Sequence, residues 1–308
     1  MTHRLKLVIA FAAVYLIWGS TYLAIRIAIE TLPPFLMAGV RLTVAGILLY
    51  GWARWRGAPR PVRPNWLAAG VVGGLMLLGG NGGVVWAEQR VPSGLTAVLI
   101  ATVPLWIAIL EWVRGGARPG GRVAGGLIMG MAGIALLVGP GELAGGKGID
   151  LLGAAVLLLA SLSWAMGSLY SRRARLPSSP LLATAMEMLA GGLLLLLAGL
   201  ITGQAADLDP ARISLQSVVA LCYLIVFGSL VAFTAYVWLL RVTLPSHAAT
   251  YAYVNPAVAV FLGWALGGEP LTARTLLAAA IIVGAVVIIT ASRPRAGRET
   301  AAVPEQSP

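Results

Sequence analysis

Long apolar runs alternate with short polar segments along almost the whole chain. A helix of about 20 apolar residues is long enough to cross the hydrocarbon core of a bilayer. The pattern therefore predicts an all-α membrane protein with ten transmembrane helices. The predicted spans are 5–25, 34–53, 66–86, 93–113, 122–139, 151–171, 180–201, 215–239, 245–266 and 273–291.

The composition indicates that the surface of the protein faces lipid. Hydrophobic residues make up 59% of the chain, charged residues only 11%, and the mean hydropathy is +0.88. A soluble domain carries roughly 25% charged residues, because its surface must be hydrated. The 38 glycines agree with a membrane protein, since small residues let membrane helices approach closely.

The net charge of +11 does not indicate a nucleic-acid partner. The basic residues form short clusters between apolar spans, which is the pattern of topology signals. With a cytoplasmic N-terminus, sixteen of the 22 basic residues lie on the cytoplasmic side, five on the opposite side, and Arg41 lies inside a span. This asymmetry predicts that both termini are cytoplasmic and that the protein lies in the cell inner membrane. The polar tail 292–308 is predicted to be disordered.

Five landmarks recur in the same order in the two halves of the chain, at offsets between 146 and 153 residues. They are Gly19-Ser20-Thr21-Tyr22 with Gly167-Ser168-Leu169-Tyr170, Arg41 with Glu187, Gly80-Asn81 with Gly228-Ser229, Pro92-Ser93 with Pro245-Ser246, and Pro104 with Pro256. The order of the whole set, more than any single pair, predicts an internal repeat.

The repeat predicts two five-helix units, 5–139 and 151–291. Because each unit has an odd number of spans, the second must lie inverted in the membrane relative to the first. Inverted repeats of this kind place a substrate site near the membrane midplane and permit alternating access.

Several of these motifs resemble a known family. They are Trp18-Gly19-Ser20-Thr21-Tyr22, Pro34 with Arg41, Asn81 with Glu88, Pro92-Ser93-Gly94, Tyr253-Val254-Asn255-Pro256 and Gly268-Glu269. Together they resemble the EamA-type exporters of the drug/metabolite transporter superfamily, in particular the YedA-like branch. The resemblance implies ten helices, export across the inner membrane, and substrates such as amino acids, other metabolites or drugs.

Arg41 and Glu187 are ionisable side chains inside predicted spans, at equivalent positions of the repeat. A charge near the bilayer centre costs about 2.5–3.5 kcal/mol on insertion scales, so it usually faces a cavity or a partner. Inversion places the two backbones about 10 Å apart in depth, from a helical rise of 1.5 Å per residue. The two residues are therefore predicted to act in the substrate pathway or, alternatively, to hold neighbouring helices.

Trp18 with Ser20, and Trp164 with Ser168, are the next candidates for the substrate pathway. Aromatic rings near the midplane could stack on a substrate, and hydroxyl groups could hydrogen-bond it. The alternative is that Gly and Ser only pack helices here, with Trp filling space.

Asn81 and Glu88 are seven residues apart and share a helix face. Asn81 lies among glycines, which predicts a loosely wound segment beside a cavity. Glu88 would lie at the mouth of the pathway or be an ordinary interfacial charge. Tyr253 and Asn255, which come shortly before Pro256, are further candidates for the substrate pathway.

Two prolines, Pro104 and Pro256, are expected inside helices of the two halves. A proline removes one helical hydrogen bond, so each position is predicted to be either a kink or a hinge.

A secondary transporter of a small molecule is the function that these features predict. A channel or a membrane sensor is the alternative, and an intramembrane enzyme is a weaker one. His3 and His247 lie near span ends, and no metal cluster or pair of carboxylates can be assembled within the spans. No cofactor, metal or nucleic acid is therefore expected. The expected partners are a small-molecule substrate and the lipid bilayer, and a second copy of the chain is a further candidate.

Overall fold

A computed structural model of the chain describes residues 2–91, 96, 99–115, 120–138, 150–267 and 272–291. Within these residues all regular secondary structure is helical. The start of the fourth predicted span, the Gly268-Glu269 segment and the tail 292–308 lie outside the described residues.

Ten helices of eleven or more residues can be followed in the described part of the chain. They are α1 (His3–Ile29), α2 (Pro34–Trp55), α3 (Arg63–Ala87), α4 (Val103–Val113), α5 (Gly121–Val138), α6 (Leu151–Ser171), α7 (Pro180–Ile201), α8 (Leu215–Val242), α9 (Tyr251–Gly267) and α10 (Ala273–Ala291). The described residues also form a 3₁₀ turn, Pro210–Arg212, and a helical turn, Pro245–Ala248.

Six of these helices, α1, α2, α3, α6, α7 and α8, are long and apolar enough to cross a membrane. Many large apolar side chains on their surfaces are exposed, among them Leu23, Leu48, Leu159 and Leu197. Such a surface is suited to lipid, because a soluble monomer rarely leaves wide apolar patches in contact with water. The fold is thus that of a helical membrane protein.

Two helices change their winding in the middle. In α3 the segment Gly73–Gly82 is a π-helix, and in α8 the segment Leu224–Phe233 is another. A π-helix bonds residue i to residue i+5, which makes the turn wider, and such segments often occur at functional sites. The predicted irregular segment around Asn81 thus takes the form of a π-helix.

The two prolines that were expected inside helices do not occupy equivalent positions. α4 begins only at Val103, so Pro104 lies in its first turn, where the missing N–H group costs no helical hydrogen bond. The expectation of a mid-helix kink at Pro104 is therefore corrected. Pro256, in contrast, lies inside α9, as expected.

A turn that contains an Ala-Thr pair precedes both α4 and α9. The pairs are Ala101-Thr102 and Ala249-Thr250. The Thr102 hydroxyl donates to the Leu99 carbonyl at 2.5 Å, and the Thr250 hydroxyl donates to the His247 carbonyl at 2.7 Å. The predicted span 245–266 is consequently broken into Pro245–Ala248 and α9.

The helix contacts follow the same plan in the two halves. α2 and α7 form the most extensive helix–helix contact, and α5 packs along α10. α1 packs against α8 and α9, while α6 packs against α3 and α4. The first helix of each half therefore packs on the third and fourth helices of the other half.

Close packing of α2 on α7 depends on glycines. A Cβ atom on Gly192 would lie 2.7 Å from the Thr43 backbone nitrogen, and one on Gly39 would lie 2.8 Å from that of Leu196. Small residues let the two backbones come together, which is how membrane helices usually associate. The contact holds the two halves together beside a cavity.

Candidate functional site

A cavity of about 720 Å³, measured out to its open mouth, lies between the two halves. Its wall is formed by residues of α1, α2, α3, α4, α6, α8 and α9 and by Ile100. Five aromatic side chains line the cavity: Trp18, Tyr22, Trp164, Phe233 and Tyr251.

The two tryptophans expected in the pathway meet in this wall. The rings of Trp18 and Trp164 pack edge to face with centroids 5.6 Å apart, and Tyr251 packs on Trp18 at 4.7 Å. The Trp18 indole N–H donates to the Gly228 carbonyl at 3.1 Å, and that of Trp164 donates to the Tyr236 hydroxyl at 3.2 Å. Both rings are therefore held in place by α8.

Arg41 is the only charged side chain among the described residues that line the cavity. It is 5% exposed, and its Nε donates to the Ser229 hydroxyl at 2.8 Å. Its buried Nη1 has no hydrogen-bond partner among the described residues. A Cβ atom on Gly228 would lie 2.8 Å from Nη2, so the guanidinium occupies space that a side chain at position 228 would need.

Further polar residues line the cavity, among them Asn81, Ser161 and Asn255. The Asn81 Oδ1 atom is buried and has no partner in the part of the chain that the structure describes. Ser161 hydrogen-bonds the Thr102 hydroxyl at 2.9 Å and accepts from the Trp106 indole at 3.1 Å. In the orientation that satisfies its hydrogen bonds, the Asn255 amide donates to the carbonyls of Tyr251 and Tyr15.

Other predicted pathway residues support the wall from behind instead of lining it. Ser20 bonds the Tyr223 hydroxyl at 2.5 Å, and Ser168 bonds the Tyr236 hydroxyl at 2.9 Å. Tyr253 is fully buried and packs beside Gly130 of α5. Serines and tyrosines near the cavity thus divide into lining and supporting groups.

Glu88 and Glu187 also lie off the cavity lining. All four of their carboxyl oxygens are buried and lack a hydrogen-bond partner in the described ranges. Arg41 and Glu187 form no ion pair; the ion pairs in the described residues are Arg90–Asp150 and Arg212–Asp209, both partly exposed. The equivalence of Arg41 and Glu187 in the repeat does not make them ion-pair partners.

Several lining residues were not singled out from the sequence, notably Ser229, Tyr251 and Ser161. Ser229 had a signal, because it is the repeat equivalent of Asn81. Tyr251 and Ser161 had none, since their positions depend on the turn before α9 and on how α6 packs against α4. The described residues contain no group of three His, Cys, Asp or Glu side chains that could hold a metal ion.

Comparison with known proteins identifies the family. Residues 5–139 and 151–291 each match the model of the EamA-like transporter family. The chain belongs to this family. The resemblance found in the motifs is confirmed.

Relatives from distant organisms match over most of the chain. The inner membrane transporter YedA of Escherichia coli K12 is 44% identical over 293 residues, covering 91% of this chain and 89% of YedA. A WAT1-related chloroplastic protein of Arabidopsis thaliana is 29% identical over 284 residues, covering 89% of this chain and 67% of the relative.

A solved crystal structure of a protein that is 22% identical superposes on this EamA-like chain with a TM-score of 0.74. The match covers 93% of this chain and 97% of the other. At this level of identity the likeness concerns the fold alone.

Proposed function

We propose that this multi-pass inner-membrane protein is a secondary transporter that exports small metabolites, amino acids or drugs by alternating access. The substrate would bind in the cavity between the halves, in contact with Trp18, Trp164 and Arg41. Membership of the EamA-like transporter family supports transport as the activity. The name of YedA, as an inner membrane transporter, supports the location.

We further propose that the chain crosses the membrane ten times, as two inverted five-helix repeats with both termini in the cytoplasm. Equivalent hydrogen bonds in the two halves support this. The Asn65 amide, at the start of α3, donates to the Arg175 carbonyl just after α6 at 2.6 Å. The Ser217 hydroxyl, at the start of α8, donates to the Ile27 carbonyl near the end of α1 at 2.8 Å. In an inverted pair of repeats, these two contacts would lie at opposite faces of the membrane.

The observation that carries the proposal is that both halves build one cavity. Trp18 and Arg41 come from the first half, while Trp164 and Ser229 come from the second. A site at the boundary between two bodies can be exposed to either side when one body rocks against the other. A sensor would not need a wall shared in this way, and a channel needs a continuous pore lined with polar rings.

Contacts at the helix breaks suggest where the halves would pivot. The Tyr15 hydroxyl of α1 bonds the Thr250 hydroxyl before α9 at 2.5 Å. The Thr102 hydroxyl before α4 bonds Ser161 of α6 at 2.9 Å. Each pair joins the first helix of one half to the turn before the fourth helix of the other. Rocking the halves would therefore change the backbone conformation of both turns.

Counterflow of labelled amino acids and other small metabolites in proteoliposomes tests the proposal. We expect saturable exchange of at least one of these compounds with the wild type and its loss in Arg41→Ala and Trp18→Ala, because both side chains line the cavity. Leu159→Ala is the matched control, since Leu159 is 64% exposed on the lipid side. Flux that does not saturate would indicate a channel. A folded protein that exchanges none of the compounds would favour a sensor.

A further inference from the structure

We propose that the cavity selects a small organic anion, a monocarboxylate with an apolar or aromatic body, and that Arg41 binds its carboxylate. This inference rests on the proposed function, because it names the chemical class of substrate that the cavity would carry. Three features of the cavity support it: its charge, the geometry of the guanidinium and the apolar character of the remaining wall.

The cavity carries an unbalanced positive charge. Arg41 is its only charged lining residue among those described, is 5% exposed, and forms no ion pair in the described chain. A cation removed from water is strongly unfavourable unless it is paired. A carboxylate on the substrate would supply the missing charge, so binding an anion would be favoured over binding a neutral molecule of the same shape.

The Arg41 guanidinium is held in one orientation, but one of its hydrogen-bond donor groups has no partner among the described residues. Its Nε is occupied by Ser229, which fixes the plane of the group, whereas the buried Nη1 is without a partner among the described residues. Arginine is well suited to carboxylates because its planar group can donate parallel hydrogen bonds. Gly228 leaves room for Nη2 beside the π-helix of α8.

The rest of the wall favours an apolar body. The indole N–H groups of Trp18 and Trp164 already donate within the protein, so these side chains offer ring surface and no free donor. Tyr251 adds a third ring. The unpartnered Asn81 Oδ1 could accept one hydrogen bond from a hydroxyl or N–H group on that body.

The same lining disfavours cations and zwitterions. No Asp or Glu lines the cavity among the described residues, so a substrate ammonium would be buried without a carboxylate in contact with it. Aromatic rings and one amide oxygen compensate such a charge only in part, since cation–π contacts contribute about 0.5–2 kcal/mol. The cavity therefore discriminates between a monocarboxylate and the corresponding amino acid.

Isothermal titration calorimetry of the full-length protein in detergent tests this, with four probes that share a phenyl ring. They are phenylpropionate, its neutral amide, phenylpropylamine and phenylalanine. We expect phenylpropionate to bind at least about tenfold more tightly than the other three, as a charge-assisted hydrogen bond would provide. Arg41→Gln should abolish this preference, Arg41→Lys should keep part of it, and Arg212→Gln, which removes an exposed charge, should leave it unchanged.

Equal binding of the acid and the amide, tighter binding of the amine or of phenylalanine, or no detectable binding of phenylpropionate would overturn the inference. So would a preference that survives in Arg41→Gln protein of unchanged thermal stability. Counterflow separates this inference from the proposed function. Arg41-dependent binding without exchange would uphold the carboxylate site and contradict transport. Exchange of neutral or cationic compounds alone would uphold transport and contradict the carboxylate site.

Discussion

The π-helices of α3 and α8 lie at corresponding places of the two halves, yet their side chains have little in common. Gly73–Gly82 contains five glycines, whereas Leu224–Phe233 contains one, Gly228, among large apolar residues. The wide winding therefore does not depend on glycine. What the two segments share is their position opposite the first helix of the other half.

The two segments use that position differently. In α8 the segment provides polar groups: the Gly228 carbonyl accepts from Trp18, and Ser229 accepts from Arg41. In α3 the segment places the Asn81 amide in the cavity wall, but its glycines mainly provide space, because Gly73 approaches the backbone of α7 and Gly80 approaches the ring of Trp164. The π-helix of α8 thus supports cavity residues with polar groups, whereas the π-helix of α3 mainly provides a surface for close packing.

The largest effect on folding is expected at the packing surface. A Cβ atom on Gly73 would lie 2.6 Å from the Gly191 nitrogen and 2.8 Å from the Glu187 carbonyl oxygen, both backbone atoms. Gly73→Ala must therefore push α3 away from α7, at a cost of about 1–3 kcal/mol. Folded yield and the thermal unfolding temperature in detergent should both fall.

Gly70→Ala is the control in the same helix, because nothing lies within 4 Å of a Cβ atom there. It should be tolerated. Equal losses in the two variants would mean that glycine is needed in α3 for its backbone conformation and not for close packing.

A mirrored pair of substitutions should separate the two roles. Gly80→Ala would place Cβ 2.8 Å from Cε3 of Trp164, whose ring is packed against other aromatic rings, so we expect a loss of stability of about 1 kcal/mol. Gly228→Ala would place Cβ 2.8 Å from Nη2 of Arg41, the far end of a flexible side chain. It should change stability less but impair counterflow, because the guanidinium is displaced.

Thermal unfolding and counterflow measured on both variants check this expectation. If the two substitutions had the same pair of effects, the π-helices would be equivalent in function as well as in position.

A smaller effect is expected at Tyr236, which lies three residues after the π-helix of α8. Its buried hydroxyl accepts from Trp164 and hydrogen-bonds Ser168, so Tyr236→Phe leaves the indole N–H without its partner. We expect a destabilisation of about 1 kcal/mol, the usual scale for a hydrogen bond between membrane helices. Thermal unfolding of the purified protein measures it.

Tyr223→Phe is the control for this change. It removes a hydroxyl that bonds Ser20, but Ser20 also donates to the Ile17 carbonyl at 2.6 Å and keeps that bond. The control should therefore lose less stability than Tyr236→Phe. If Tyr236→Phe lost no more stability than this control, Trp164 would be held by its ring contacts and not by the Tyr236 hydroxyl.

Much of the site was accessible from the sequence because it depends on local rules. Trp18, Arg41, Asn81, Trp164 and Asn255 were all predicted from polar or aromatic side chains inside apolar spans, and all five line the cavity. A polar side chain in a membrane helix is costly unless it faces a partner or a cavity, so its presence already indicates a special position.

Other predictions depended on the register of neighbouring helices. Ser20 lies two residues from Trp18 but points to Tyr223 and away from the cavity, because neighbouring helical residues face different directions. Pro104 and Pro256 look equivalent along the chain. However, α4 begins directly before Pro104, whereas α9 begins well before Pro256, so the two prolines lie at different positions in their helices.

The sequence by itself determined that the chain is a helical membrane protein, that it belongs to the EamA-like family, and which helices carry unusual side chains. These features follow from hydrophobicity and from motifs that are contiguous in the chain. Only the tertiary structure decided that Arg41 meets Ser229 and not Glu187, and that both tryptophans are held by α8. Those pairs join residues from 72 to 210 positions apart. Their meeting depends on helix rotation and packing, which hydropathy does not encode.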